Sequence, residues 1–135
     1  MNPYAKKIIE AIVPRSYHLA LRYKWLSFKG ALDSEMFYVD SVLEKHRRFL
    51  DVGSNIGIYA YYFSNKFENV DAFEPIKEIT YRIQALRREN INLHNEALSN
   101  ESASLEFYMP IRGGGPEPAL ASLEQRDKPF EQAHC

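Results

Sequence analysis

The sequence predicts an α/β fold: a Rossmann-like, doubly wound, mainly parallel sheet, incomplete at its C-terminal end and preceded by N-terminal helices. Two short apolar runs carry that expectation. Phe49-Leu50-Asp51-Val52 is followed at once by Gly53, Asn55 and Gly57, which reads as a strand, a glycine turn and a helix start. Val70-Asp71-Ala72-Phe73 then reads as a second strand and runs into Glu74-Pro75. Helical spacing between and after these runs gives the order β-α-β-α-β, for which right-handed crossovers are the rule.

Taken in order, Tyr4 to Val13 sets Ile8, Ile9, Ile12 and Val13 on one helical face, and Pro14 punctuates that helix. Arg15 to Lys29 mixes bases with Tyr17, Tyr23, Trp25 and Phe28, as an amphipathic cap packed on the domain. Contact with an acidic membrane surface, or with a partner, is the lesser alternative for this segment. Asp33-Ser34-Glu35 signals a helix start, followed by Met36, Val39, Val42 and Leu43. The first strand is Phe49 to Val52, and the next helix begins near Asn55. The second strand is Val70 to Phe73, with a helix from Ile76 to about Asn90. Ile91 to Leu98 reads as the third strand. Leu105, Phe107 and Met109 alternate with Glu106 and Tyr108 as in a half-buried strand, and Pro110 with Arg112 to Pro118 reads as a loop. The division expected is a basic, aromatic helical segment over residues 1–32 and a cofactor-binding domain over 33–135.

Composition narrows the classes of function. Hydrophobic content of 45% and charged content of 26% suit a water-soluble globular domain, and a net charge of −1 argues against a whole-molecule nucleic-acid binder. The balance is uneven, since Lys6, Lys7, Arg15, Arg22, Lys24 and Lys29 face only Glu10 in the first thirty residues. The single cysteine, Cys135, permits no internal disulfide. His18, His46, His94 and His134 are scattered without metal-ligand spacing, so no metal is expected. No secretory signal or apolar span is legible, which makes the cytoplasm the expected location.

The turn and the two strand ends hold the chemistry. Gly53 and Gly57 would let a ligand approach the backbone without meeting a side chain, and Ser54 lies between them. Asn55 could cap the helix or bond the ligand, and the helix start would offer N–H groups to a carboxylate. Glu74 stands where an acid accepts both ribose hydroxyls, and Pro75 would fix the exit of the chain. Asn95 or Glu96 would reach the adenine. Asp51 discriminates between cofactors: a nicotinamide enzyme would bring a pyrophosphate beside this carboxylate, and two anions repel. S-adenosylmethionine brings a sulfonium and an ammonium instead. The alternatives are an NAD-type oxidoreductase fragment, or a non-catalytic remnant that uses the basic, aromatic N-terminus as an interaction module; the glycines by themselves would also suit a tight strand-to-helix turn with no ligand.

The strings Phe49 to Tyr59, Val70 to Pro75, Asn90-Ile91 and Asn95 to Ser99, together with Ala121-Ser122-Leu123, resemble the FkbM-type methyltransferases, which are class I S-adenosylmethionine-dependent enzymes. The resemblance covers roughly residues 34 to 123. It implies O-methyl transfer to a hydroxyl of a small molecule or glycan, with Asp51, Gly53, Asn55, Gly57 and Glu74 at the cofactor. It also implies a later strand with an Asp-x-Glu-Gly motif, which this sequence lacks, so the chain reads as truncated and its lone activity as an open question. Tyr59 resembles a position near the pocket, while Tyr108 and His94 are weaker candidates; no residue is assigned as the base. An unfinished sheet would expose a strand edge, from which self-association is expected.

Overall fold

The computed structural model describes residues 11–100, 106–112, 115–116 and 130–134. Helix α1 (Arg15–Phe28) and helix α2 (Ser34–Val42) precede strand β1 (Arg48–Val52). Helix α3 (Ile58–Phe63), strand β2 (Asn69–Phe73), helix α4 (Lys77–Leu86) and strand β3 (Ile91–His94) follow. The strands form a parallel sheet in the order β1-β2-β3, with Leu50 opposite Asp71 and Phe73 opposite His94.

The core explains why these runs fold as they do. Residues of the first strand alternate, so Phe49 and Asp51 point to one face while Arg48, Leu50 and Val52 point to the other. Phe49 meets Phe63 and Phe67, and Val70, Ala72, Ile91 and Leu93 complete that face of the sheet. Met36, Ala60, Phe63 and Ile83 close over it from α2, α3 and α4, and Tyr23 of α1 packs on Tyr61 and Tyr62. Among the described residues the helical layer covers this face alone. On the other face Leu50 and Val52 remain 57% and 60% exposed. Of the expected fold, the described residues show the mixed α/β part: a three-stranded parallel sheet with α3 and α4 packed on one face. The reason is topological: the strand order never reverses, so two crossovers of one hand place α3 and α4 on the same side.

Several boundaries differ from the sequence reading. Helix α3 starts at Ile58 rather than near Asn55, because Asn55 and Gly57 both take left-handed backbone conformations, with φ of 51° and 89°. Helix α4 starts at Lys77 and ends at Leu86, well short of Asn90. Arg87 is left-handed there, and Arg88 turns back to donate to the carbonyl of Tyr61 and to Ser64 Oγ. Asn90 is used as a clasp, donating to the carbonyls of Ser64 and Phe67. Strand β3 stops at His94 instead of Leu98, since its pairing with β2 ends there.

A second sheet has the order β5-β4-β6 and is antiparallel, made of β4 (Glu106–Arg112), β5 (Gly115–Pro116) and β6 (Phe130–His134). The expected loop from Pro110 to Pro118 is thus partly strand. Strands β4 and β5 pair with Ile111 opposite Pro116 and Arg112 opposite Gly115. Strand β6 has no β-branched residue, which is why its sequence gives little strand signal. Of the helix expected over Tyr4 to Val13, Ala11 and Ile12 are helical and the earlier positions lie outside the described residues, as do Ala121-Ser122-Leu123 and Cys135.

Candidate functional site

The carboxyl ends of β1 and β2 converge on one loop pair. Gly53 and Ser54 both donate their backbone N–H to the carbonyl of Phe73, each at 2.9 Å, so the turn after β1 is tied to the last residue of β2. Glu74 ties the turn again. One carboxylate oxygen accepts the N–H of Asn55 at 2.9 Å, and the other accepts the N–H of Ile76 at 3.0 Å. This acid, buried at the strand end, staples the β1–α3 turn to the β2–α4 turn. Each oxygen keeps a further lone pair, so acceptance of ribose hydroxyls stays open to it.

Asp51 is the second buried acid of the cluster. It takes a hydrogen bond from the N–H of Ala60 in the first turn of α3, while its Oδ2 has no partner. Burial, aided by the negative charge of Glu74, pushes its pKa up to about 6, against the lowering effect of the Ala60 hydrogen bond. Ser54 Oγ is likewise buried and unpartnered. Among the described residues His18 Nδ1 and His46 Nε2 are buried without a partner too, but Asp51 is the acid among the four, and a buried carboxylate oxygen is the costliest of them to leave unpaired. A buried acid with a free oxygen and a second carboxylate close enough to raise its pKa favours a cationic group.

The two glycines divide the work. At Gly53, with φ of 74°, a Cβ would meet nothing within 4 Å, so open space borders the turn. At Gly57 a Cβ would run into the side chain of Ile83 and approach Leu19. Gly57 therefore serves the packing of α1 and α4 against the turn, and the space its missing side chain leaves is filled by protein. Its left-handed backbone gives glycine a second reason to be there.

The remaining sequence candidates separate. Asn95 lies beside the site but its amide donates toward Thr80 Oγ1 at 3.2 Å and the Glu74 carbonyl at 3.4 Å, holding the β3 end against α4. Glu96 is exposed, 3.8 Å from His94 Nδ1. Pro75 is half-buried in the exit turn, with the helix beginning two residues later than a first-position proline would set it. Asn55 offers its backbone N–H, not a helix cap. Tyr59 donates to Asp33 at 3.1 Å; burial first, then Asp33, raises its pKa to about 12, which suits a hydrogen-bond donor more than a base. Tyr108 lies on β4. The N–H groups of α3 are a weak anion site, because the helix has six residues and Ala60 already serves Asp51.

Sequence reasoning missed a second polar cluster on the open face of the sheet. Asp71 accepts from Arg48 Nε at 2.7 Å and from Asn92 Nδ2 at 3.2 Å, and pairs with His94 Nε2 at 3.1 Å. Burial works to raise its pKa, but these hydrogen bonds outweigh it and hold the carboxyl below its ordinary value. Phe73 stacks on His94 at 4.4 Å. The register placing Arg48, Asp71 and Asn92 in neighbouring rows is the signal that could have found it.

Comparison with protein-family models, curated proteins and solved structures gives no match, so the geometry of the chain itself carries the argument. No helix among the described residues is long and apolar enough to cross a membrane.

Proposed function

We propose that the chain is an S-adenosylmethionine-dependent methyltransferase domain, or the cofactor-binding part of one, acting on a hydroxyl of a small molecule or glycan. The observation that carries this reading is the unpartnered Oδ2 of buried Asp51, at the end of the strand that leads into Gly53 and Ser54. A cationic amino-acid ligand would relieve the cost of that buried acid, whereas a dinucleotide pyrophosphate would add a third anion to Asp51 and Glu74. In this reading Asp51 holds the ammonium, Ser54 bonds the amino-acid moiety and Glu74 uses its spare lone pairs on the ribose. The cofactor supplies an electrophilic methyl group, and the protein's part is to hold it in line with the acceptor oxygen.

One observation favours a second reading, a non-catalytic domain. Both oxygens of Glu74 and one of Asp51 already bond backbone N–H groups, so the fold alone employs much of the acidic pair. Calorimetric titration with S-adenosylmethionine separates the two, with NADH and the Asp51→Asn variant as controls. The methyltransferase reading expects saturable binding that weakens as pH falls through about 6, where Asp51 takes up a proton, and that Asp51→Asn loses. A folded chain that binds nothing overturns it, and preference for NADH would favour an oxidoreductase.

A further inference from the structure

The parallel sheet leaves one edge open. Strand β1 pairs with β2 alone, and two bonds bracket that ladder: Asn69 N–H to the Arg47 carbonyl and Gly53 N–H to the Phe73 carbonyl. In a parallel ladder successive residues turn their backbone groups alternately toward the neighbouring strand and away from it. Phe49 and Asp51 therefore serve β2. The N–H and carbonyl groups of Arg48, Leu50 and Val52 point outward, where no described residue bonds them. All three residues are exposed. The far edge of the sheet is partly closed, since Ile91 of β3 gives its outward N–H to the carbonyl of Arg88. A row of bare strand groups such as that on β1 is matched best by another strand.

Charge and register decide which strand fits. The chain enters β1 through Lys45, Arg47 and Arg48, all exposed, and among the described residues only Arg48 of the three has an acid partner, Asp71. It leaves β1 beside Asp51 and Glu74, whose bonds all come from backbone N–H groups and not from a Lys or Arg. The strand is thus basic where it starts and acidic where it ends. A second copy laid antiparallel along the edge, centred on Leu50, sets each basic start beside the other's acidic end. In that register Leu50 faces Leu50 of the second copy and Arg48 faces Val52, so no like charges stand opposite one another. Every outward N–H and carbonyl of β1 then gains a partner, and one sheet runs through both copies. A parallel second copy would instead put basic start beside basic start and Arg48 beside Arg48.

We propose that β1 is the two-fold interface of a homodimer, joined antiparallel and edge to edge about Leu50. The proposal is independent of what the β1–β2 loop pair binds. The test is sedimentation equilibrium of the full chain across a wide range of concentration, with circular dichroism of each variant. A monomer–dimer equilibrium is expected. Leu50→Pro should abolish it with circular dichroism unchanged, because the N–H it removes lies outside the β1–β2 ladder. Val52→Lys should weaken the dimer about tenfold, since it sets a like charge against Arg48 at both ends of the contact, and Val52→Glu should tighten it by a similar factor. A chain that stays monomeric overturns the proposal, as does assembly that runs on past the dimer, which a two-fold contact would close. So does a dimer that a folded Leu50→Pro variant retains, or one that both Val52 variants weaken alike, the mark of apolar contact without this register. If Leu50→Pro does not fold, the opposite responses of the two Val52 variants decide the matter.

Discussion

Replacing Asp51 by Asn should make the variant gain stability relative to wild type as pH rises from acid to neutral. The carboxyl is buried, and its pKa rises from 3.8 to about 6. A raised pKa means that the folded chain holds its proton more tightly than the unfolded chain. Stability from this group is therefore fully present below pH 3.8 and is lost as pH rises through about 6. At about 1.4 kcal/mol per unit, the charged carboxylate costs the native state about 3 kcal/mol at neutral pH, as an upper estimate. Asn keeps an oxygen for the Ala60 N–H but puts an amide donor where Oδ2 was, costing about 1–3 kcal/mol if it finds no acceptor. The absolute change can thus take either sign, and its pH dependence is the diagnostic. Urea unfolding of both chains should show the variant gaining about 2–3 kcal/mol relative to wild type between pH 4 and pH 7.5. A difference that stays flat over that range would refute a buried, unpaired Asp51.

Three further outcomes follow from the same geometry. Gly57→Ala should destabilise by about 2–4 kcal/mol in thermal or urea unfolding, from a left-handed backbone and overlap with Ile83, whereas Gly53→Ala costs only the backbone strain of about 1–2 kcal/mol. Equal losses would show that Ile83 moves aside freely. Glu74→Ala removes acceptors for the Asn55 and Ile76 N–H groups together and should lower stability by about 3 kcal/mol; Glu74→Gln, keeping one oxygen, should lose less, and both are read by urea midpoint. Leu50→Lys with Val52→Lys should reduce concentration-dependent light scattering by placing charge on the open face of an edge strand, and unchanged scattering would remove that face as the site of self-association.

How much could be read in advance depended on whether local chemistry decided the structure. The strands were legible because Phe49 to Val52 and Val70 to Phe73 are short apolar runs ended by glycine or by an acid and proline. The convergence of Asp51, Ser54 and Glu74 followed from the same punctuation. The end of α4 was not legible, because the pattern of Arg, Gln and Leu through residue 88 continues to favour helix. It ends where tertiary demand takes over: Arg88 is worth more bonded to Tyr61 and Ser64, and Asn90 to Ser64 and Phe67. Gly57 shows the same limit at the site. The sequence marks it as a glycine position, but only the approach of Ile83, twenty-six residues on, shows that its missing side chain serves packing.

The two acids of the loop pair are also different in kind. Glu74 has a fold-given bond on each oxygen, one to each turn, so its presence is explained whether or not its remaining lone pairs meet a ligand. Asp51 is not explained in this way. The Ala60 N–H needs one acceptor, which a neutral Asn would supply, yet the chain carries a charge there with one oxygen unpartnered and a like charge close by. Local violations of this sort concentrate at functional positions, where a buried group waits for a partner from outside the chain. For that reason Asp51, more than the better-connected Glu74, is the residue on which ligand binding should turn, and a cationic ligand should raise the pH-7 stability of wild type while leaving Asp51→Asn unaffected.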